Sequence, residues 1–284
     1  MKFVLRLVLA LFSGIVLGGM TIKEEKTQFI YLNNPETLKT TGILHKKKYS
    51  QNTNVRYFFH FKNGTNNQQN FYIKSQFVIS NFKIAYHKHK RPEIAGAIST
   101  AQFMKLSPSS KQIDLTLSLS PNETLSGIAE GRILKDDVLL FQFGNQKNII
   151  RTVEQTQISY KHNINIDLNN NKSAKFRLGE NIQNTVKGQY GNDISIFIKP
   201  LESGILSLKF SPRGGNGLLV FENRGKIYKT DVKPAYNKYD VMLVYVEKNK
   251  IEKFTFIPLG GLNYPIELDF LLNTEILKEA TLQT

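Results

Sequence analysis

Cysteine and tryptophan are both missing from the 284 residues, and histidine occurs only five times. Without cysteine there is no thiol nucleophile, no Cys-ligated zinc or iron–sulfur cluster, no disulfide and no lipid on an N-terminal Cys. Without tryptophan the usual flat platform for sugar stacking is gone, although 12 tyrosines offer a partial substitute. Acidic residues are also few, 23 against 38 Lys and Arg, which leaves a net charge of +15. With 40% hydrophobic and 21% charged residues the chain is not globally disordered. At this length it can bury a core or two without a metal or a disulfide.

What is present begins at the N-terminus. Lys2 and Arg6 precede an uncharged stretch from Leu7 to Ile22, with Gly18 and Gly19 closing its apolar part. Basic n-region, apolar h-region and small residues at a cut make a secretory signal, with cleavage near Gly18/Gly19. The strongly apolar part is short for a spanning helix, which needs about 20 residues. The expected protein is therefore exported. A Lys-, Asn- and Ile-rich chain without Cys fits the periplasm, surface or surroundings of a bacterium.

Alternation with period two dominates the rest. Ile113, Leu115, Leu117 and Leu119 alternate with polar residues, as do Ile164, Ile166 and Leu168; Ile194, Ile196 and Ile198; Leu206, Leu208 and Phe210; and Ile266, Leu268 and Phe270. Each run puts its apolar residues on one face of a strand. The runs Val55 to Phe61, Phe71 to Ile79, Val138 to Phe143, Val241 to Val246 and Phe254 to Ile257 read as strands with broad or double apolar faces. Lys62 to Asn66, with its Asn-Gly pair, reads as a hairpin turn. Helix signals are confined to Pro92 to Leu106, where Pro92 suits a first helical position and a strand broken at Gly96 is the competing reading, and to a short C-terminal stretch at Thr274 to Leu282.

The fold class that follows is all-β: an antiparallel, immunoglobulin-like β-sandwich, with at most one short helix near residues 92–106. The polar stretch Leu168 to Ser173 divides the chain, predicting a signal peptide at 1–18 and sandwich domains at 19–168 and 174–284. One larger sandwich with this stretch as a loop is the competing reading.

Catalytic motifs are scarce. There is no nucleophile elbow, P-loop, H-E-x-x-H or dinucleotide fingerprint. Ser80-Asn81-Phe82-Lys83 matches S-x-x-K, but that chemistry needs a helix and the surroundings are extended. His87 and His89 share a strand face, yet Lys88, Lys90 and Arg91 repel a cation, so no metal and no cofactor is expected. The basic clusters Lys46, Lys47, Lys48 and His87, Lys88, His89, Lys90, Arg91 are the candidates for attracting a polyanion. For an exported chain that partner is an anionic envelope polymer or another surface protein, rather than nucleic acid.

One internal echo gives a second candidate. Leu208 to Gly215 and Phe254 to Gly261 both read as a strand followed by Pro-x-Gly-Gly. If both strands leave one sheet at the same end, Arg213, Gly214, Gly215, Gly260, Gly261 and Asn263 would frame a binding site with exposed N–H groups. The expected role is a non-enzymatic envelope or surface protein, structural or ligand-binding. A secreted carbohydrate-active or carbohydrate-binding protein is the first alternative and a β-rich toxin the second.

Overall fold

The computed structural model describes residues 27–33, 36–150, 155–157, 161–170, 172–178, 190–259, 261–262 and 265–275. The expected signal peptide and most of the expected C-terminal helix lie outside them. Among the described residues the chain is mostly β-strand, in several sheets, with one α-helix.

The N-terminal half comprises β1 (Thr27–Leu32), β2 (Thr37–Leu38), β3 (Gly42–Tyr49), β4 (Asn54–Asn63), β5 (Gln69–His89), α1 (Pro92–Lys105), β6 (Ser109–Leu119), β7 (Thr124–Ile133), β8 (Asp137–Phe143) and β9 (Gln155–Gln157). Its nine strands form one sheet along the path β3-β8-β5-β7-β4-β1-β9, with β2 on β4 and β6 on β5. The sheet folds over because β5 is long and bulged. Its first residues lie between β6 and β8, and its last run beside β7, with register shifts between Lys74 and Val78 and between Ser80 and Lys83. Rings on β4 therefore meet rings on strands to which β4 is not hydrogen-bonded: Tyr57 lies 4.6 Å from Phe141 and Phe59 lies 6.0 Å from Phe71, centroid to centroid. These rings belong to one buried core with Leu117, Leu125 and Leu139.

The C-terminal half holds β10 (Lys161–Leu168), β11 (Ser173–Leu178), β12 (Asp193–Pro200), β13 (Gly204–Pro212), β14 (Val220–Asn223), β15 (Lys226–Lys229), β16 (Tyr239–Val246), β17 (Glu252–Phe256) and β18 (Ile266–Asn273). A five-stranded sheet, β10-β12-β17-β14-β15, and a four-stranded one, β11-β18-β13-β16, share a second core. Phe254 of the first sheet and Phe270 of the second stand 5.2 Å apart across it.

All five alternating runs are strands, and α1 occupies the expected helical window. Pro92 opens the helix, and Glu93 lies in its first turn with Lys105 in its last, the charges a helix dipole favours. Three features differ from the sequence expectation. First, β1 and β2 pair with β4, and β10 with β12, in parallel, so the pairing is not antiparallel throughout. Period-two alternation sets which face a residue takes and is silent on strand direction.

Second, the Asn63-Gly64 turn does not close a hairpin, because β7 stands between β4 and β5 in the sheet. Buried Asn63 instead accepts bonds from Thr65 and donates to the carbonyls of Asn67 and Leu119, which steers the chain across to the other layer. Third, β10, placed by the sequence with the N-terminal half, bonds to β12 and so joins the C-terminal sheets.

Candidate functional site

β4 is buried on both faces, and its second face builds the seam between the two halves. Tyr57, Phe59 and Phe61 point into the N-terminal core, whereas Arg56, Phe58 and His60 take the opposite side by alternation. There Phe58 joins Phe29, Tyr31, Ala85, Phe103 of α1 and Ile257 in a third buried cluster.

The segment Tyr190 to Asp193 inserts against this face. The Tyr190 ring stacks on Phe58 at 5.8 Å. Gly191 has φ +72, and a Cβ there would stand 2.9 Å from Phe58 Cβ, so only glycine fits both the backbone and the space. The Tyr31 hydroxyl donates to Asn192 Oδ1 at 2.8 Å, and Asn192 Nδ2 lies 3.1 Å from His162 Nε2. Burial raises the Tyr31 hydroxyl pKa far above its ordinary value, against the lowering pull of Arg56, so the hydroxyl stays a donor. Burial likewise lowers the His162 pKa, with Asp193 opposing it.

Arg56, 1% exposed, stands at the centre. Its Nη2 donates to Asp193 Oδ1 and to the Gly191 carbonyl, both at 2.7 Å, while Nη1 donates to Asp193 Oδ2 at 3.1 Å and to Glu130 Oε2 at 2.8 Å. Lys83 Nζ pairs with Glu130 Oε1 at 3.2 Å and stands 4.2 Å from the centre of the Phe103 ring. Two clefts flank the cluster. One of about 380 Å³ reaches Glu130, Arg132 and Lys161, and one of about 460 Å³ runs from Lys83 and Phe103 past Asp193 to Glu222 and Thr255.

Two carboxylates meeting beside a cleft is the arrangement acid–base hydrolysis uses. Here Glu130 and Asp193 converge on one guanidinium. All four of their oxygens carry a cationic partner, which ties both carboxylates into the ion cluster where they border the clefts. The geometry joins two halves of a chain: a buried fork on β4 holds the start of β12.

No protein-family model matches the chain. No curated protein matches it in sequence either. Among solved structures, the CUB1-EGF-CUB2 domains of rat MASP-1 align over 86% of this chain and 99% of that one, at 6% identity and a TM-score of 0.24. Lac15 from a marine microbial metagenome aligns over 78% and 52%, at 10% identity and 0.20, and the multicopper oxidase from Campylobacter jejuni over 71% and 48%, at 11% and 0.16. The chain thus spans about half the length of these last two.

The residues singled out from sequence lie elsewhere. Arg213 follows β13 and its backbone N–H donates to the Pro265 carbonyl at 2.9 Å, so the first Pro-x-Gly-Gly loop lies beside the end of the second. Its guanidinium reaches Glu267 at 3.1 Å, which also takes Arg177. Burial alone would raise the Glu267 pKa, but these partners outweigh it and hold the carboxyl below its ordinary value. Gly214 is exposed and Gly215 half-buried. Gly261, at φ +77, packs against Pro92 and Glu93 at the start of α1, with no room for a Cβ. Gly260 and Asn263 lie outside the described residues.

Lys46, Lys47 and Lys48 lie on β3, an edge strand, where lysines discourage pairing with another chain. His87, Lys88 and His89 end β5, opposite Ser126, Leu125 and Thr124. Burial, His89 and Lys88 lower the His87 pKa against the pull of Glu123. Lys88 donates to the Ser118 carbonyl, His89 Nδ1 accepts from the Arg91 N–H, Arg91 pairs with Glu93, and Lys90 is exposed. Among the described residues no three His, Asp or Glu side chains converge as a metal site.

Sequence reasoning does not find the seam, because its members are far apart along the chain. One signal is available: Arg56 interrupts an apolar strand covered on both faces, and a buried arginine needs carboxylates.

Proposed function

We propose that the chain is an exported, non-enzymatic protein of the cell envelope or cell surface. In this reading it consists of two immunoglobulin-like β-sandwich domains that hold binding surfaces in a fixed relation. Its partner is an anionic envelope polymer or another surface protein. The observation that carries the reading is the seam, where the two carboxylates placed for chemistry are neutralised by Arg56 and Lys83.

The experiment is fractionation of the source cells, with N-terminal sequencing of the recovered protein and an assay of reducing-sugar release from the envelope polysaccharide of those cells. A mature chain beginning near Gly19 outside the cytoplasm, with no sugar released, is the expected result. Intact Met1 in the cytosol overturns export. Sugar release that Glu130→Gln abolishes overturns the non-enzymatic reading.

A further inference from the structure

At the end of the N-terminal half remote from the His87 to Arg91 cluster, β5 carries a bulge that the surrounding side chains hold in place. Between Lys74 and Val78 the register with β6 shifts, and Ser75, Gln76 and Phe77 leave the ladder. Asp137, 1% exposed, accepts the backbone N–H groups of Gln76 at 2.8 Å and Phe77 at 3.1 Å. Gln112 Nε2 donates to the carbonyls of Ser75 and Gln76, and Ser75 Oγ donates to the Phe77 carbonyl while accepting the Ile113 N–H. The freed backbone groups are thus satisfied by side chains, and the bulge is specified rather than frayed.

What this arrangement exposes is apolar. Phe77 is 37%, Val78 45% and Leu134 44% exposed. Leu134 stands in the β7–β8 turn next to Lys135, whose ammonium lies 4.4 Å from the centre of the Phe77 ring, which brings this turn beside the β5 bulge. Lys135 lies against the Phe77 ring, and the adjoining strands carry further basic residues: Lys111, opposite Ile79 with its ammonium 5.5 Å from the Phe82 ring, Arg132, opposite Ser80 and bonded to Asn52 Oδ1, and Lys74 and Lys48. Asp114 and Asp136 oppose them at the surface, paired with Lys74 and Lys48.

We propose that this tip docks on an anionic lipid surface, with Phe77, Val78 and Leu134 entering the headgroup boundary and Lys111, Lys135 and Arg132 meeting the phosphates. The charge complementarity names the occupant: an exposed apolar bulge with Lys135 laid along Phe77 and further basic residues on the adjoining strands matches a soft, negatively charged interface, where a lysine stem lies along apolar surface and its head stays with the phosphates. Each basic residue near such a surface multiplies partitioning about five-fold. The proposal goes beyond the seam and rests on export only for its setting, since purified protein and vesicles test it without reference to where the chain is sent.

The chain has no tryptophan, so Phe77→Trp supplies a single reporter. With vesicles of phosphatidylcholine containing phosphatidylglycerol the indole emission of this variant shifts to the blue, with pure phosphatidylcholine it does not, and raised salt weakens the shift. In co-sedimentation of the full mature chain, Phe77→Ser/Val78→Ser/Leu134→Ser and, separately, Lys111→Gln/Lys135→Gln each lose about tenfold or more in partitioning. Lys226→Gln/Lys229→Gln, on β15, binds as the unaltered chain does. An unshifted emission of the Phe77→Trp variant on anionic vesicles overturns the proposal. Equal binding by the triple-serine variant and the unaltered chain overturns it too, because general positive charge would then account for the attachment.

Discussion

His60 lies on the seam face of β4, 4% exposed, and its Nδ1 has no hydrogen-bond partner. Burial lowers its pKa from 6.5 to about 4. In the unfolded chain the ring takes up a proton as pH falls through 6.5, while in the folded chain it resists until about pH 4. Between these values the unfolded state binds more protons, so folding stability drops as the solution is acidified, by on the order of 3 kcal/mol across the window. His87 and His162 are also lowered and act in the same direction. His60→Leu removes the largest of these contributions. Urea unfolding at pH 7 and pH 4.5 should show a smaller acid loss for the variant, with little cost at pH 7. An unchanged pH dependence would mean that the ring does not titrate as its burial dictates.

At the scale of the element, β7 is a strand that the sequence reading did not single out. Its Gly127 lies where a Cβ would collide with Phe59 Cζ and come within 2.8 Å of the Ala85 carbonyl oxygen. Gly127→Ala should therefore destabilise through overpacking by roughly 2 kcal/mol, although alanine is the smallest possible addition. A melting temperature equal to that of the unaltered chain would show that Phe59 has room to swing aside. Alternation made the five half-buried strands legible, because a side chain's face is a local property. The path of β5 was not legible, since the bulge at Ser75 to Phe77 is fixed by the distant partners Asp137 and Gln112, and past Ile79 the strand bulges again where Asn81 takes φ +49. The parallel pairing of β1 with β4 is equally nonlocal. Proline at the start of α1 could be read because it acts through its own φ and missing N–H.

For the whole molecule the question is what couples two halves that each have a core of their own. α1 contributes to both sides: Phe103 enters the seam cluster, while Ala97 belongs to the C-terminal core with Ala101 and Met104 packed on it. The polar coupling runs through Arg56, and its cost decides the outcome. A buried ion pair adds little over a well-packed apolar substitute, but removing one partner strands the others and costs about 3 to 5 kcal/mol. Arg56→Met leaves Glu130 with Lys83, yet deprives Asp193 of the guanidinium that takes both its oxygens. Arg56→Lys fares nearly as badly, because a single ammonium cannot reproduce the fork. In denaturant the unaltered chain should unfold in one step while the seam holds. Arg56→Met should lower the midpoint and separate two transitions, with amide exchange accelerating first along Tyr190 to Asp193. Adding Asp193→Asn to Arg56→Met should restore part of the loss by neutralising the stranded carboxylate. A single transition at an unchanged midpoint in Arg56→Met would show that the apolar contacts of Phe58, Phe103 and Tyr190 hold the halves together without the ionic fork.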